Sequence, residues 1–396
     1  MHPDASVSAP ARGGPVDRAG RLLAPDLARG LALLGIALAN CVSYVSGVTT
    51  GPLARPVEAT PADRAVDTVV GLLVDNRAFP MFTMLFAYGF VTVLRRQASA
   101  GVPWPRARGL LVRRSLGLAV LGAAHLLLLF AGDILLVYGL LGLALVLVVR
   151  AGDRVLRLVG WLTLPVFLGL GALDGVAEGD PGGPPGYLDD LLDRVLVLVS
   201  TVVGAPLFVA ALAPAAVVGV LLARSQVLED PAAHLPLLRR LVLVGLPVSV
   251  LGAVPLVLLS TQVVQAPPAV DLLAGALHGG TGLLGAAAFL GGVGWLVAAR
   301  ARRADDPRRG VVRALAAVGE RSLSCYLLQS VLLVPLLAPW ALGLGVGAGT
   351  ALVSGVAVAV YLVTVVVALL LDRAGRRGPA EVLLRRVVYG AAPNVR

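Results

Sequence analysis

Residues 111–150 read LVRRSLGLAVLGAAHLLLLFAGDILLVYGLLGLALVLVVR, and this stretch decides the fold. Two apolar runs, Leu110 to Phe130 and Ile134 to Val149, are parted by Gly132-Asp133 and bracketed by Arg113-Arg114 and Arg150. Continuous runs of this kind suit helices crossing a hydrocarbon layer about 30 Å thick. The apolar/polar alternation of a membrane barrel strand is absent. The stretch therefore reads as a hairpin of two spanning helices. Its arginine-bearing ends share one side of the membrane, and Asp133 sits in the tight turn at the other.

Working outward from this hairpin, eight more apolar runs lie between charged punctuation: Leu27 to Thr49, Val66 to Leu94, Val155 to Leu173, Val195 to Ala223, Leu241 to Thr261, Leu272 to Ala299, Ala314 to Ala338 and Leu342 to Leu371. Composition agrees. The 396 residues are 58% apolar and 14% charged, against about 25% charged in an ordinary soluble domain, and mean hydropathy is +0.88. The expected fold is an all-α, polytopic transmembrane bundle of about ten spans.

The net charge of +10 would suit a nucleic-acid binder, but its placement excludes that reading. All 33 basic residues are arginine, which with the excess of Ala, Gly, Val, Leu and Pro points to a GC-rich bacterial genome. With an inner N-terminus, the ten runs put 28 arginines and 11 acidic residues inside, against 3 arginines and 11 acidic residues outside, with Asp75, Arg77 and Arg321 within spans. This bias of +17 against −8 is the positive-inside pattern, so both termini are expected in the cytoplasm and the chain in a bacterial cytoplasmic membrane, its basic face against anionic lipid. Residues 1–20 read as a disordered tail, 21–371 as the membrane domain, and 372–396 as a cytoplasmic tail with an interfacial amphipathic helix from Pro379. The first run exceeds a signal-peptide core and is expected to remain uncleaved. Asp174 to Asp193 is expected to be an outer loop without a regular element. Cys41 and Cys325 lie in apolar runs and define no disulfide framework.

Ionisable residues inside spans are costly and mark sites by default. His125 lies roughly 7 Å from the outer end of its span, and His278 roughly 10 Å below the outer surface, at 1.5 Å per residue. Asn40 falls in the outer half of the first span, and Asp75, Asn76 and Arg77 near the middle of the second. Four spans thus bring polar groups to similar depths. A neutral histidine can act as general base or acyl acceptor, with Asp133 fixing its tautomer. Each residue also has a structural reading: a histidine bonded to a carbonyl, an Asp75–Arg77 pair holding spans together, Asp133 as a helix cap. Ser322, Ser324, Tyr326 and Gln329 form a polar stripe, with 322, 326 and 329 on one side of a helix, either interhelical glue or a substrate lining. Gly139, Gly142, Gly291, Gly292 and Gly294 suit close helix packing. No HExxH or paired CxxC supports a metal, and no strand precedes a glycine-rich loop.

Several stretches together resemble one family. Arg113 to Leu116, Gly122 to His125 and Gly132 to Gly142 resemble the hallmark segment of the YeiB-like bacterial membrane proteins, the domain-of-unknown-function 418 family. Leu22 to Asn40, Gly319 to Ser330 and Gly378 to Gly390 resemble its first span, late span and terminal motif. The family is similar in its first spans to heparan-α-glucosaminide N-acetyltransferase, which passes an acetyl group from cytosolic acetyl-CoA to an amino sugar on the far side. Asn40, and Asn76 with Phe79-Pro80, match that enzyme's segments. Its functional histidine, in the loop after the first span, has no counterpart here between Cys41 and Val66.

The resemblance and the polar cluster together imply an acyltransferase drawing on acyl-CoA or acetyl-CoA and modifying an envelope glycan or lipid on the outer face. In this reading His125 is general base or acyl relay and Asp133 its orienter. Asn40 and Asn76 hold the acyl carbonyl, Arg77 neutralises donor charge, and His278, Tyr326 and Gln329 contact substrate. A transporter or lipid flippase using the same cluster is the competing expectation, and a structural partner in an envelope assembly a third.

Overall fold

The computed structural model describes residues 22–177, 179, 186–302 and 309–390. The expected disordered tail lies outside them. α1 (Leu23–Cys41) is followed by a short outer hairpin, β1 (Thr50–Gly51) with β2 (Arg55–Pro56), and then by α2 (Pro61–Leu73), α3 (Ala78–Ser99), α4 (Trp104–Leu128), α5 (Leu135–Val148), α6 (Asp153–Leu173), α7 (Tyr187–Val203) and α8 (Ala205–Arg224). α9 (Leu235–Arg240) runs through a π turn into α10 (Leu246–Ser260). α11 (Pro268–Ala301), α12 (Gly310–Glu320), α13 (Ser322–Leu337), α14 (Thr350–Arg373) and α15 (Pro379–Tyr389) complete the order.

Among the described residues, eight helical stretches are long and apolar enough to cross a membrane, and α5 and α13 are shorter apolar helices. All ten fall on the ten runs of the sequence. At 1.5 Å per residue α5 spans roughly 21 Å and α13 roughly 24 Å, less than a full hydrocarbon layer. The turn joining α4 to α5 therefore stops short of the end opposite the arginine-rich joints. Residues such as Trp161, Leu162 and Leu251, about 70% exposed, make the apolar outer surface that lipid would cover.

The sixth run breaks at Gly204 into α7 and α8 and the ninth at Arg321 into α12 and α13, and four further boundaries differ from the expectation. α1 ends at Cys41 and turns through Val42–Tyr44, so residues 45–49 are not helical. α14 starts only at Thr350, because Gly343 and Gly347 take positive φ in the loop before it. Inside the expected loop of residues 174–193, α7 begins at Tyr187. Asp189 accepts the Gly186 N–H at 3.1 Å, and acidic residues in a first turn complement the helix dipole. The second run is not one helix: it breaks at Asp75-Asn76-Arg77, with Asn76 at φ 56°.

The hairpin that decided the fold is held by close backbone approach. A Cβ on Gly122 would collide with the Leu136 amide, and one on Gly139 would lie 2.5 Å from the Ala119 nitrogen. Small residues let two helices approach in this way where lipid offers no hydrophobic drive. Gly291 and Gly294 meet Leu238 similarly, at 3.0 Å.

Candidate functional site

The α4–α5 turn brings His125 and Asp133 together. His125 lies in the last turn of α4, 3% exposed, and Asp133 is 7% exposed. His125 Nδ1 is 2.7 Å from Asp133 Oδ1, while Asp133 Oδ2 accepts the Leu136 N–H at 2.7 Å. Orienter and helix cap, the two alternatives for Asp133, are thus one arrangement. A carboxylate on Nδ1 keeps the proton there and leaves Nε2 basic. That Nε2 is buried and has no hydrogen-bond partner among the described residues. The Tyr326 ring packs on the imidazole with centroids 5.1 Å apart, and its hydroxyl accepts the Ile134 N–H at 3.3 Å. Gln329, one turn further along α13, is 3% exposed, and its Nε2 is likewise without a partner.

A cavity of about 400 Å³ opens among α1, α3, α4, α5, α12, α13 and α15. By helix register its deep wall holds Ile134, Leu135, Tyr138 and Tyr326, so it reaches the residues that follow Asp133 and the ring that covers His125. Phe82 and Phe86, also on the wall, stack on Tyr138 with centroids 5.7 and 5.2 Å apart. Toward the arginine-rich end the lining carries Arg29, Arg96, Arg114, Arg321, Arg377 and Arg385 against Asp26, Glu320 and Glu381. The excess is positive, and Arg114 Nε is buried without a hydrogen-bond partner among the described residues.

α15 forms one wall of this cavity because its first turn is locked to that of α13. Glu381 accepts the N–H groups of Leu323 and Ser324 at 2.9 and 3.2 Å and the Ser324 hydroxyl at 2.5 Å. Ser324 Oγ in turn accepts the Ala380 N–H at 3.0 Å. Each side chain satisfies the orphan donors of the other helix's N-terminus. The Glu381 carboxylate also suits the positive end of the α13 dipole.

The other expected residues form a second network around the α2–α3 break. Asn76 Nδ2 donates to Asp174 Oδ2 at 2.8 Å and lies 3.1 Å from His278 Nδ1, while His278 Nε2 stands 2.6 Å from Arg77 Nη1 and 3.0 Å from the Gly71 carbonyl. Arg77 donates to the Asp75 carbonyl at 2.5 Å, to the Ser249 carbonyl at 2.7 Å and to the Ser249 hydroxyl at 3.0 Å. A helix broken at membrane depth frees backbone carbonyls that must find donors. Arg77 supplies them at the Asp75 and Gly71 carbonyls, beside the wholly buried His278.

Three expectations are corrected here. Asp75 pairs through its carboxylate with Arg55 at 2.6 Å, not with Arg77, which reaches only its carbonyl. Arg77 and His278 have their nitrogens engaged, and Arg77 does not line the basic cavity. The gathering of four spans is two networks, and no hydrogen bond among the described residues joins them. Asn40 sits half-buried in the last turn of α1, where its carbonyl accepts the Val42 N–H.

Charge outside the spans follows the same geometry. Burial opposes the Arg55 charge, but Asp75 and Asp67, the latter 3.3 Å away, outweigh it and hold the guanidinium above its ordinary value. Burial pushes the Asp174 carboxyl up to about 6, against the hydrogen bond from Asn76 and with repulsion from Asp75 adding to it.

Comparison with known proteins adds a family to this geometry. The sequence profile described as "Protein of unknown function (DUF418)" matches residues 222–391, which include the α13–α15 lock. The chain is 32% identical over 151 residues to "Uncharacterized protein YeiB" of Escherichia coli (strain K12), covering 37% of this chain and 36% of that protein. It is 29% identical over 136 residues to "Uncharacterized protein YxaH" of Bacillus subtilis (strain 168), covering 33% of each. The chain thus spans about a third of the length of the curated relatives it matches. No solved structure matches.

Asp174, Arg55, Ser249 and Glu381 escaped the sequence reading. Arg55 carried a signal, as one of few arginines on an otherwise acidic outer face. Asp174 and Ser249 carried none, because their partners lie far away in the chain.

Proposed function

We propose that this protein is a membrane-embedded acyltransferase that takes an acyl group from a cytoplasmic acyl-CoA and passes it to a hydroxyl or amine of an envelope glycan or lipid on the outer face. The observation that carries this reading is the His125–Asp133 pair, whose unpartnered Nε2 lies behind the deep wall of a cavity with a basic opposite end. In this orientation the arginine-rich end faces the cytoplasm. Its guanidinium groups suit the phosphates of the donor, and the stacked aromatic wall suits the apolar arm.

The chemistry then follows. His125 Nε2 accepts the proton of the acceptor O–H or N–H as that atom attacks the thioester carbonyl. The new acyl bond forms, the C–S bond breaks, and the imidazolium returns the proton to the departing thiolate. The Asp133 carboxylate stabilises the imidazolium in between. Arg77 and His278 belong to the α2–α3 break in this account.

Purified protein in lipid vesicles with radiolabelled acetyl-CoA and native envelope extract tests the proposal. Wild type is expected to transfer label, and folded His125→Ala to transfer it about 10²–10⁴ times more slowly. Equal rates would remove the assignment. One observation favours a transporter as the second reading: a helix broken at membrane depth, as transport proteins use at substrate sites. Uptake or lipid scrambling in vesicles without an acyl donor would support it.

A further inference from the structure

At the end opposite the arginine-rich joints, one buried charge is used by neither network. Arg194 on α7 is 1% exposed, and Nη1 and Nη2 have no hydrogen-bond partner among the described residues. Its Nε donates to the Asp190 carbonyl at 3.2 Å. The nearest carboxylate, Asp190, stands 3.4 Å from Nη2 without a hydrogen bond and is already taken by Trp340 Nε1 at 2.7 Å. The Tyr187 ring, 5.6 Å from the guanidinium carbon, covers one face. A guanidinium taken out of water with its two terminal nitrogens open is strongly penalised unless something fills them. That pair of nitrogens matches an oxyanion held by two parallel hydrogen bonds.

The place of Arg194 points to the source of such an anion. Tyr187 and Trp340 pack edge to face at 5.0 Å, and Tyr and Trp concentrate where membrane headgroups lie. Leu188, Leu192 and Leu196 turn the opposite face of α7 outward, each more than 60% exposed. One aromatic pair stands next to the dyad. Tyr44 stacks on Phe130 at 5.2 Å, the Phe130 N–H donates to the His125 carbonyl at 3.1 Å, and the charges of Asp190 and Arg194 reach the Tyr44 hydroxyl.

We infer that Arg194 is the recognition residue for the acceptor, and that the acceptor carries a phosphate of the kind found in lipid headgroups. The inference rests on the acyltransferase reading for the word acceptor; the anion site itself does not.

Binding to the full chain in detergent, with no acyl donor present, tests the site. The probes are dihexanoyl phosphatidic acid and sn-glycerol 3-phosphate, and the readout is tryptophan fluorescence, with Trp340→Phe identifying the reporter. Wild type is expected to bind at least the lipid probe saturably, and Arg194→Gln at least about tenfold more weakly. Asp190→Asn, which removes the competing carboxylate and leaves Arg194 in place, is expected to bind more tightly, and it carries the test if Arg194→Gln does not fold. Binding of both probes would assign the site to phosphate itself, and binding of the lipid alone to the headgroup with its chains. No binding by wild type, or equal binding by Arg194→Gln, overturns the inference. Arg194-dependent binding without any transfer of acyl label would keep the site and remove the acyltransferase. Transfer insensitive to Arg194→Gln would keep the acyltransferase and remove Arg194 as the residue that recognises its acceptor.

Discussion

Replacing Asp133 with asparagine separates its two jobs. One carboxylate oxygen receives the His125 Nδ1 proton at 2.7 Å, and the other caps α5 by accepting the Leu136 N–H at 2.7 Å. In Asp133→Asn the amide oxygen can keep the cap, worth about 1 kcal/mol, while the NH₂ group faces Nδ1. An NH₂ there must be accepted, so the imidazole proton moves to Nε2 and the base is lost. The charge-assisted bond to His125 accounts for about 1.5–3 kcal/mol. Asp133→Ala loses both contacts, and its expected destabilisation is about 2.5–4 kcal/mol. The same swap of Asp for Asn costs about 10⁴ in rate in the serine-protease triad, where it also inverts the tautomer. Acetyl-CoA consumption and thermal unfolding in one detergent measure both effects. Asp133→Asn should be nearly inactive but clearly more stable than Asp133→Ala. A wild-type rate in Asp133→Asn, or equal unfolding midpoints for the two variants, would refute the reasoning.

Other outcomes follow from the same geometry. Glu381→Ala removes three acceptor contacts from the first turn of α13 and should destabilise by about 2–4 kcal/mol, with limited proteolysis cutting after residue 373 sooner than in wild type. Arg114→Gln, at the basic end of the cavity, should raise KM for acyl-CoA about tenfold or more with a smaller change in kcat, as initial rates at varied donor would record. Asp174 holds its proton to about pH 6 in the folded protein, whereas an unfolded aspartate releases it near about 3.9. Its contribution is therefore full below about pH 4 and is lost as pH rises through 6, by about 3 kcal/mol. Unfolding midpoints of wild type and Asp174→Asn across this window should converge in slope above it and differ within it.

The legible part of this molecule was its one-dimensional part. Apolar run lengths and arginine punctuation located ten helical stretches because a membrane imposes both on every span. His125 and Asp133 are eight residues apart across a turn, so their meeting was within reach of local reasoning. The break at Asp75-Asn76-Arg77 was not, since apolar residues resume on both sides of it and only the left-handed Asn76 ends the helix. Asp75 was matched to Arg77 by proximity in sequence, while the geometry hands its carboxylate to Arg55, 20 residues upstream. The cavity was beyond sequence altogether, because seven helices build it and each contributes a few positions. Gly319 to Ser330 and Gly378 to Gly390 stood out as two motifs, and the lock between Glu381 and Ser324 gives a physical reason for both.

The central claim is that the His125–Asp133 pair transfers acyl groups to an envelope component. A strain lacking this protein, complemented with wild type or with His125→Ala at equal membrane levels, tests it most directly by mass spectrometry of extractable lipids and wall glycans. Wild type should restore one acyl mass increment that the strain lacks and His125→Ala should not. Identical envelope masses in all three strains, or full restoration by His125→Ala, would contradict it.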